Sequence, residues 1–562
     1  VQILVLAAAV ALSYANTLDV PFYYYDYRAI AEDASIHDPT DLGRIWSSAP
    51  ARAFGQWTLA LNYGAHGTQV AGYHLLNVLI HFLAGCAVLA LLGALVRSPV
   101  MTGEGRDWLL WVPLLAALLF VLHPLQTQAV TYIVQRVASL AGALYLAALA
   151  CYAWARLRHW RWLFGGVLLF GGLALLTKQN AATLPAAILL VELIFFRRLS
   201  TPQRWSVLVV AGLTAAALVY LVNREPFDSM TRGAWKEEGI SRSAYFATQS
   251  QVLWRYAALF FYPADQRLEY DIPLQPGLGE PLVGLALAAH VLLIVLAFAL
   301  WPRAPLVTFG VLFWYLAHLV ESSFLPISDL AVEHRTYLPN LGPATITAFL
   351  LAWLGSFRRL RYPAVAASLL VVLGAAWLTV QRNALWRDPV AFHKRDTELS
   401  PNKERAWTSY GKELMRRERF PEALAAFGQA LNLGRTEDGH LEVQPQTLLN
   451  AVLAMYYTGQ HRKAVQMEQW LPLEELAPVE RSTLHAAKGL ALLSLKRPGL
   501  AREEFESALQ FYPNINAQAG IATVHYLDGE YQRARQMATE VLRQDPQNRL
   551  ARQVVEKTDA LR

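Results

Sequence analysis

The sequence predicts an all-α membrane protein in two parts: a polytopic bundle of about eleven transmembrane helices, 1–381, followed by a helical-repeat solenoid, 382–562. Three observations carry this. Apolar runs of 16–25 residues recur up to Gln381 with few acidic residues between them. Beyond Arg382 the chain becomes charged and rich in Ala and Leu. Within that second part a pattern of small and aromatic residues returns at a fixed period. The average over all 562 residues, 55% hydrophobic and 16% charged, blends these two regimes.

The chain opens on VQILVLAAAVALSYANTL, which has no basic n-region and no small-x-small cleavage site. It reads as a membrane span with its extreme N-terminus missing, not as a signal peptide. Further windows long enough for a bilayer core fall near 72–96, 108–122, 137–155, 162–177, 181–196, 205–222, 281–301, 305–320, 340–356 and 363–381. Alternate connections collect the arginines: Arg97 and Arg106; Arg156, Arg158 and Arg161; Arg197, Arg198 and Arg204; Arg303; Arg358, Arg359 and Arg361. By the positive-inside rule these connections face the cytoplasm. The opposite connections (19–71, 123–136, around Lys178, 223–280 and 321–339) then face outward, together with everything after Arg382. The segment 244–262 is apolar but carries Gln249, Gln251 and Arg255. It reads as an amphipathic helix in the outer interface, anchored by Trp254, Tyr256 and Tyr262; the alternative, a twelfth span, would flip everything downstream, and Arg303, Arg358, Arg359 and Arg361 argue against it.

In the second part, Trp407, Gly411, Ala423, Phe427 and Ala430 stand at the offsets of a tetratricopeptide repeat. Gly489, Ala501, Phe505, Ala508 and Pro513 repeat that register, a further unit lies around Ala534, Ala538 and Pro546, and a degenerate one centres on Ala464. Small residues let paired helices approach while the aromatic fills the space beside them. Such arrays bind peptides or proteins.

The net charge of +6 is no nucleic-acid footprint, because much of the arginine excess sits in short loops between spans. The two cysteines, Cys86 and Cys151, lie inside apolar runs, which excludes a disulfide framework or thiolate metal site.

The outward connections hold the residues able to do chemistry. Asp26 follows a span end among aromatics, a setting that raises a carboxylate's pKa and suits a general base. His123 opens HPLQTQAVTYIVQR, Lys178 sits in TKQNAATLP, and Glu333, His334 and Arg335 lie in ESSFLPISDLAVEHRTYLPN. Charge near membrane depth is costly, which marks each for pairing or function; snorkelling to the headgroups is the bland alternative.

The ordered set YDYRAI, GYHLLNVLIH, HPLQTQAVTYIVQRVASL, TKQNAATLP, EHRTYLP and QRNALWRDPVAFHKRDTELSPNKERA, leading into the repeats, resembles the transmembrane and tetratricopeptide O-glycosyltransferases of the TMTC type and their bacterial relatives. The resemblance implies a GT-C fold with its active site on the outer face and a sugar donor carried on polyprenyl phosphate. It places the catalytic base at Asp26 and matches His123, Pro124, Arg136, Lys178, Glu333, His334 and Arg335 to the family's motifs. Where the family has acids, this chain has Tyr25, Gln128 and Gln179.

The implied activity is metal-independent, inverting transfer from the lipid-linked sugar, a substrate and not a cofactor, to Ser or Thr of an exported protein. Arg335, then Arg136 and Lys178, would hold the lipid phosphate, with His123, Glu333 and His334 around the substrate. The expected setting is a bacterial inner membrane with the repeats in the periplasm and no nucleic-acid partner. Two other readings stay open: a non-catalytic scaffold whose repeats dock a secreted or surface complex, consistent with the replaced acids, and transfer to a glycan or lipid.

Overall fold

The computed structural model describes residues 1–103, 106–196, 239–435, 443–466, 474 and 476–561. The described residues form helices and no β-strand, in two compact units, Val1–Pro389 and Val390–Arg562. The division falls between Pro389 and Val390 and not at Arg382, because the last helix of the first unit runs through the sequence boundary and ends at Trp386.

The first unit contains α1 (Gln2–Tyr14), α2 (Ala53–His66), α3 (Val70–Leu95), α4 (Val112–Leu122), α5 (Arg136–Arg158), α6 (Leu163–Leu175), α7 (Leu184–Phe195), α8 (Arg242–Phe261), α9 (Pro281–Leu300), α10 (Pro305–His318), α11 (Leu341–Ser356) and α12 (Arg361–Trp386). Proline opens α9 and α10 and sits in the first turn of α4 and α7, where a missing N–H costs nothing. Leu6, Val88, Leu91, Phe120, Tyr145 and Phe313 share one core. Helices α10 and α11 cross at Gly310 and Gly342; a Cβ on Gly310 would stand 2.7 Å from the Gly342 carbonyl oxygen. Small residues at such a crossing let backbones pack directly.

Each predicted span coincides with a helix except 205–222, which lies outside the described residues, as do Arg197, Arg198 and Arg204. The expected eleven crossings are not established by helix length. Among the described residues, Val70–Leu95, Ile133–Arg158, Pro281–Leu300 and Arg361–Trp386 are long and apolar enough to cross a membrane. A fifth is added if Asp107–Leu122 and Pro124–Val130, bent by 53°, form one span. The other apolar helices are shorter: Gln2–Thr17, Leu163–Leu175, Gln179–Phe195, Pro305–His318 and Leu341–Ser356. α9 and α12 turn large apolar side chains outward, among them Leu292 at 58% and Leu370 at 74% exposure. An outward face of that kind suits hydrocarbon and not water.

The segment read as an interfacial helix is α8, and its aromatic residues differ from expectation. Tyr262, just past its end, is exposed, but Tyr256 is fully buried. The Tyr256 hydroxyl donates to Val332 O (3.0 Å) and accepts from Val332 N (2.8 Å). The Trp254 indole donates to Ala286 O in α9. Only Tyr262 is placed as an interface anchor would be; the other two fasten α8 to its neighbours.

The second unit begins inside α13 (Pro389–Leu399), at Val390. Paired helices follow: α14 (Glu404–Arg416) and α15 (Phe420–Leu433), α16 (Pro445–Tyr457) and α17 (His461–Gln466), α18 (Pro478–Ser494) and α19 (Pro498–Phe511), α20 (Ile515–Leu527) and α21 (Tyr531–Gln544), then α22 (Arg549–Asp559). The sequence register is met in space. A Cβ on Gly411 would lie 2.6 Å from the Phe427 ring, and one on Gly489 would lie 2.5 Å from the Phe505 ring. The turn inside each pair uses a residue of positive φ at Glu418, Gly459, Lys496 and Gly529, which shows that the degenerate unit around Ala464 keeps the same turn.

Candidate functional site

The site is built on the connections at the end of the first unit where α1 finishes and α7 and α11 start. The loop between α10 and α11 is held from one side by α8: the Tyr245 hydroxyl donates to Glu321 O (2.7 Å) and the Gln249 amide to Leu330 O (2.7 Å). From another side Gln128 accepts the His334 backbone N–H at 2.6 Å. A neutral amide does this work, so position 128 needs no acid.

Around that loop three of the predicted residues, Lys178, His334 and Arg335, are brought into one charged neighbourhood. Lys178 Nζ lies 2.8 Å from Glu321 Oε1, with both side chains almost fully buried. The Asn180 amide reaches the other Glu321 oxygen at 3.4 Å. Arg335 and His334 stand in the same electrostatic neighbourhood: Arg335 acts on both Lys178 and Glu321, and Lys178 and Arg335 both act on His334. Solvent-exposed Arg52 adds its field to the group. Arg335 is itself 4% exposed and sits beside Tyr245, Tyr256, Glu321 and Asp329. Among the described residues its Nη1 and the His334 Nδ1 are buried without a hydrogen-bond partner. Burying such polar atoms unsatisfied costs free energy, and an anion accepting from the Arg335 guanidinium would recover part of it.

The protonation states follow from burial and charge together. Burial lowers the Lys178 pKa and the Glu321 ion pair opposes it. Burial would raise the Glu321 carboxyl, but Lys178, Arg335 and Arg52 outweigh it and hold it below the usual range. Burial, with Lys178 and Arg335 beside it, drives His334 well below its ordinary pKa, so the imidazole is neutral near pH 7. It can present a hydrogen bond but no charge.

Glu333 faces elsewhere. Its carboxylate accepts from Gln266 Nε2 (3.0 Å), Arg267 N (2.6 Å) and the Tyr270 hydroxyl (2.8 Å), with Arg382 Nη2 at 3.9 Å. Burial raises its pKa in spite of these partners. It fastens the loop to the chain after α8 and to the end of α12.

Asp26 is buried on the connection that follows α1. Its carboxylate accepts the backbone N–H of Tyr23 (3.0 Å) and of Val134 (2.7 Å), and it is 1% exposed. Burial pushes its pKa up to about 7, against the pull of those two amides and of Arg136. A series of contacts leads from the Asp26 segment to the neighbour of His334. The Tyr23 ring packs on Trp386 (4.7 Å), Arg382 lies 5.9 Å from the Trp386 ring, and Arg382 faces Glu333, the neighbour of His334.

Two predicted ligands do other work. The guanidinium of Arg136 is fully buried and donates to Asn77 Oδ1 (2.5 Å), Thr58 O (2.9 Å) and Tyr73 O (3.1 Å). With its three nitrogens so engaged, Arg136 ties α2, α3 and α5 together and is placed as a tether. His123 accepts from Leu125 N at Nδ1 and meets Phe260 O at Nε2 (2.7 Å), its ring stacked on Phe260. It ties the α4 end to α8. Tyr25 is part exposed, with its backbone N–H on the Tyr132 hydroxyl. Sequence reasoning missed Glu321, Arg52 and Arg382, which pair only across long stretches of chain. The one local signal was Glu321 standing at the end of an apolar run. Among the described residues no three His, Cys, Asp or Glu side chains come together as metal ligands would.

No protein-family model matches the chain. The resemblance read from the motifs is borne out by curated relatives. The chain is 30% identical over 210 residues to protein O-mannosyl-transferase TMTC2 of Mus musculus, which is 34% of this chain and 24% of that protein. It is 23% identical over 526 residues to protein O-mannosyl-transferase Tmtc3 of Drosophila melanogaster, which is 79% of this chain and 56% of that protein. The chain thus spans between a quarter and about half the length of these relatives.

Proposed function

We propose that this chain is a membrane protein O-glycosyltransferase of the GT-C class that takes its sugar from a polyprenyl-phosphate donor. Similarity to protein O-mannosyl-transferases supports the reaction class. The observation that carries the donor chemistry is the buried cationic pair Lys178 and Arg335 with neutral His334 beside it, Arg335 Nη1 and His334 Nδ1 being unpartnered among the described residues. Arg335 and Lys178 bind the phosphate, and neutral His334 adds a hydrogen bond.

Asp26 removes the proton from a Ser or Thr hydroxyl, whose oxygen attacks the anomeric carbon. The bond from that carbon to the phosphate oxygen breaks, its electron pair stays on the phosphate, and the configuration inverts. Charge on the departing phosphate is what the cationic group stabilises. The step is metal-independent. We assign the site to the periplasmic face of a bacterial inner membrane, on the side opposite the arginine-rich connections, and the repeats to the same side, where they raise the local concentration of an exported acceptor.

The test is transfer by the purified full chain with a polyprenyl-phosphate sugar. Arg335→Gln lowers kcat/KM by about 100-fold, the usual cost of removing one donor from a developing oxyanion. Unchanged acceptor glycosylation by a folded Asp26→Asn variant sinks the mechanism. The scaffold reading is favoured by one observation, that both Asp26 oxygens are already held by backbone amides. Intact masses of exported proteins with and without the gene separate the two: hexose increments appear under the enzyme reading and not under the scaffold reading.

A further inference from the structure

At the end of the first unit that carries Arg106 and Arg303, a cavity of about 590 Å³ opens among the ends of α9, α10 and α11 and the one-turn helix Asp107–Trp111. Its wall is apolar, formed by Leu109, Leu300, Val307, Ile346, Phe349 and Leu350. Two tryptophans line it: Trp108 against Phe349, with ring centroids 5.5 Å apart, and Trp353 against Phe357 at 5.1 Å. Arg106 and Arg303 complete the lining; both are exposed, and neither guanidinium has a side-chain hydrogen bond or ion pair among the described residues. An apolar slot with unpaired arginines and interfacial tryptophans combines what a lipid needs at headgroup level.

We propose that this cavity is a binding site for one anionic phospholipid of the arginine-side leaflet. Arg106 and Arg303 hold its phosphate-bearing headgroup between them. The first carbons of its chains enter the slot, and the chains continue along the outward face of α9, where Leu292, Val295, Leu296 and Phe298 are exposed. Charge complementarity selects the anionic headgroup, since among the described residues no acidic side chain lines the cavity. The depth of the apolar wall selects a lipid over a soluble phosphate. This site lies among the connections whose arginines face the cytoplasm, away from Arg335 and Lys178, and does not depend on the glycosyltransferase reading.

The experiment is native mass spectrometry of the purified full chain titrated with phosphatidylglycerol or with phosphatidylcholine of the same acyl chains. Wild type retains one phosphatidylglycerol in preference to phosphatidylcholine. The double variant Arg106→Gln/Arg303→Gln weakens that retention about thirtyfold, as expected for two lost headgroup attractions. Leu350→Trp, which fills the slot and leaves both arginines, also displaces the lipid. Equal retention of the two lipids by wild type, or unchanged phosphatidylglycerol binding by both variants, overturns the proposal. Displacement of phosphatidylglycerol by an equimolar short polyprenyl phosphate also overturns it, because the slot would then belong to the donor.

Discussion

At the residue scale, Asp26 and the Lys178–Glu321 pair yield the sharpest tests. The Asp26 carboxyl ionises near pH 7 because burial disfavours its charged form. As a base it works only when ionised, so log kcat/KM rises with slope one below about pH 7 and levels above it. Stability moves the other way. An acid whose folded pKa is raised costs the folded state nothing below its unfolded pKa, and its ionisation lowers stability progressively as pH climbs toward 7. A transfer profile flat between pH 5.5 and 8 would remove Asp26 from the role of base. For the buried pair, Glu321→Gln costs about 3–5 kcal/mol by leaving Lys178 unpaired, Lys178→Met costs less because Arg335 still faces Glu321, and the double variant costs less than the sum of the two. Denaturation of the three variants in detergent reads this directly. Additive losses would show that the 2.8 Å contact is not a coupled pair.

At the element scale, helix positions were legible because an apolar run long enough for a bilayer can satisfy its backbone only as a helix. The repeat register was legible for a local reason too: Gly411 and Gly489 each make room for an aromatic on the partner helix of the same pair. Gly489→Val drives two methyl groups into the Phe505 ring and lowers second-unit stability by about 1–3 kcal/mol. The turn residues offer the opposite change. Lys496 adopts φ 59°, which a side chain disfavours, so Lys496→Gly stabilises the unit by about 1 kcal/mol. Chemical denaturation followed by circular dichroism checks both signs. What local pattern could not show was which polar residues meet. Arg136 reads as a phosphate ligand from its motif, but its carbonyl partners, Thr58 and Tyr73, come from helices far earlier in the chain. Glu321 supplies the carboxylate beside Lys178 that the sequence lacks at Gln179, and nothing near residue 178 announces it.

At the scale of the whole molecule, sidedness joins the proposed functions. On the proposed topology the ends of α12 lie on opposite faces: Tyr362, 83% exposed, follows the arginines at 358, 359 and 361, while Arg387 beyond its other end pairs with Asp19. Single cysteines introduced at these exposed positions, with Cys86 and Cys151 replaced, label from opposite sides of an intact membrane. Labelling of Tyr362→Cys and Asp19→Cys from one side would overturn the assignment. The cationic group around Arg335 carries a further consequence once substrate and product are compared by charge. On the proposed reaction the donor is a phosphate diester with one negative charge, whereas the polyprenyl phosphate left behind is a monoester that carries nearly two at neutral pH. That reaction would increase the attraction between Lys178, Arg335 and the very molecule that must depart, and it predicts a turnover governed by how slowly the spent lipid lets go.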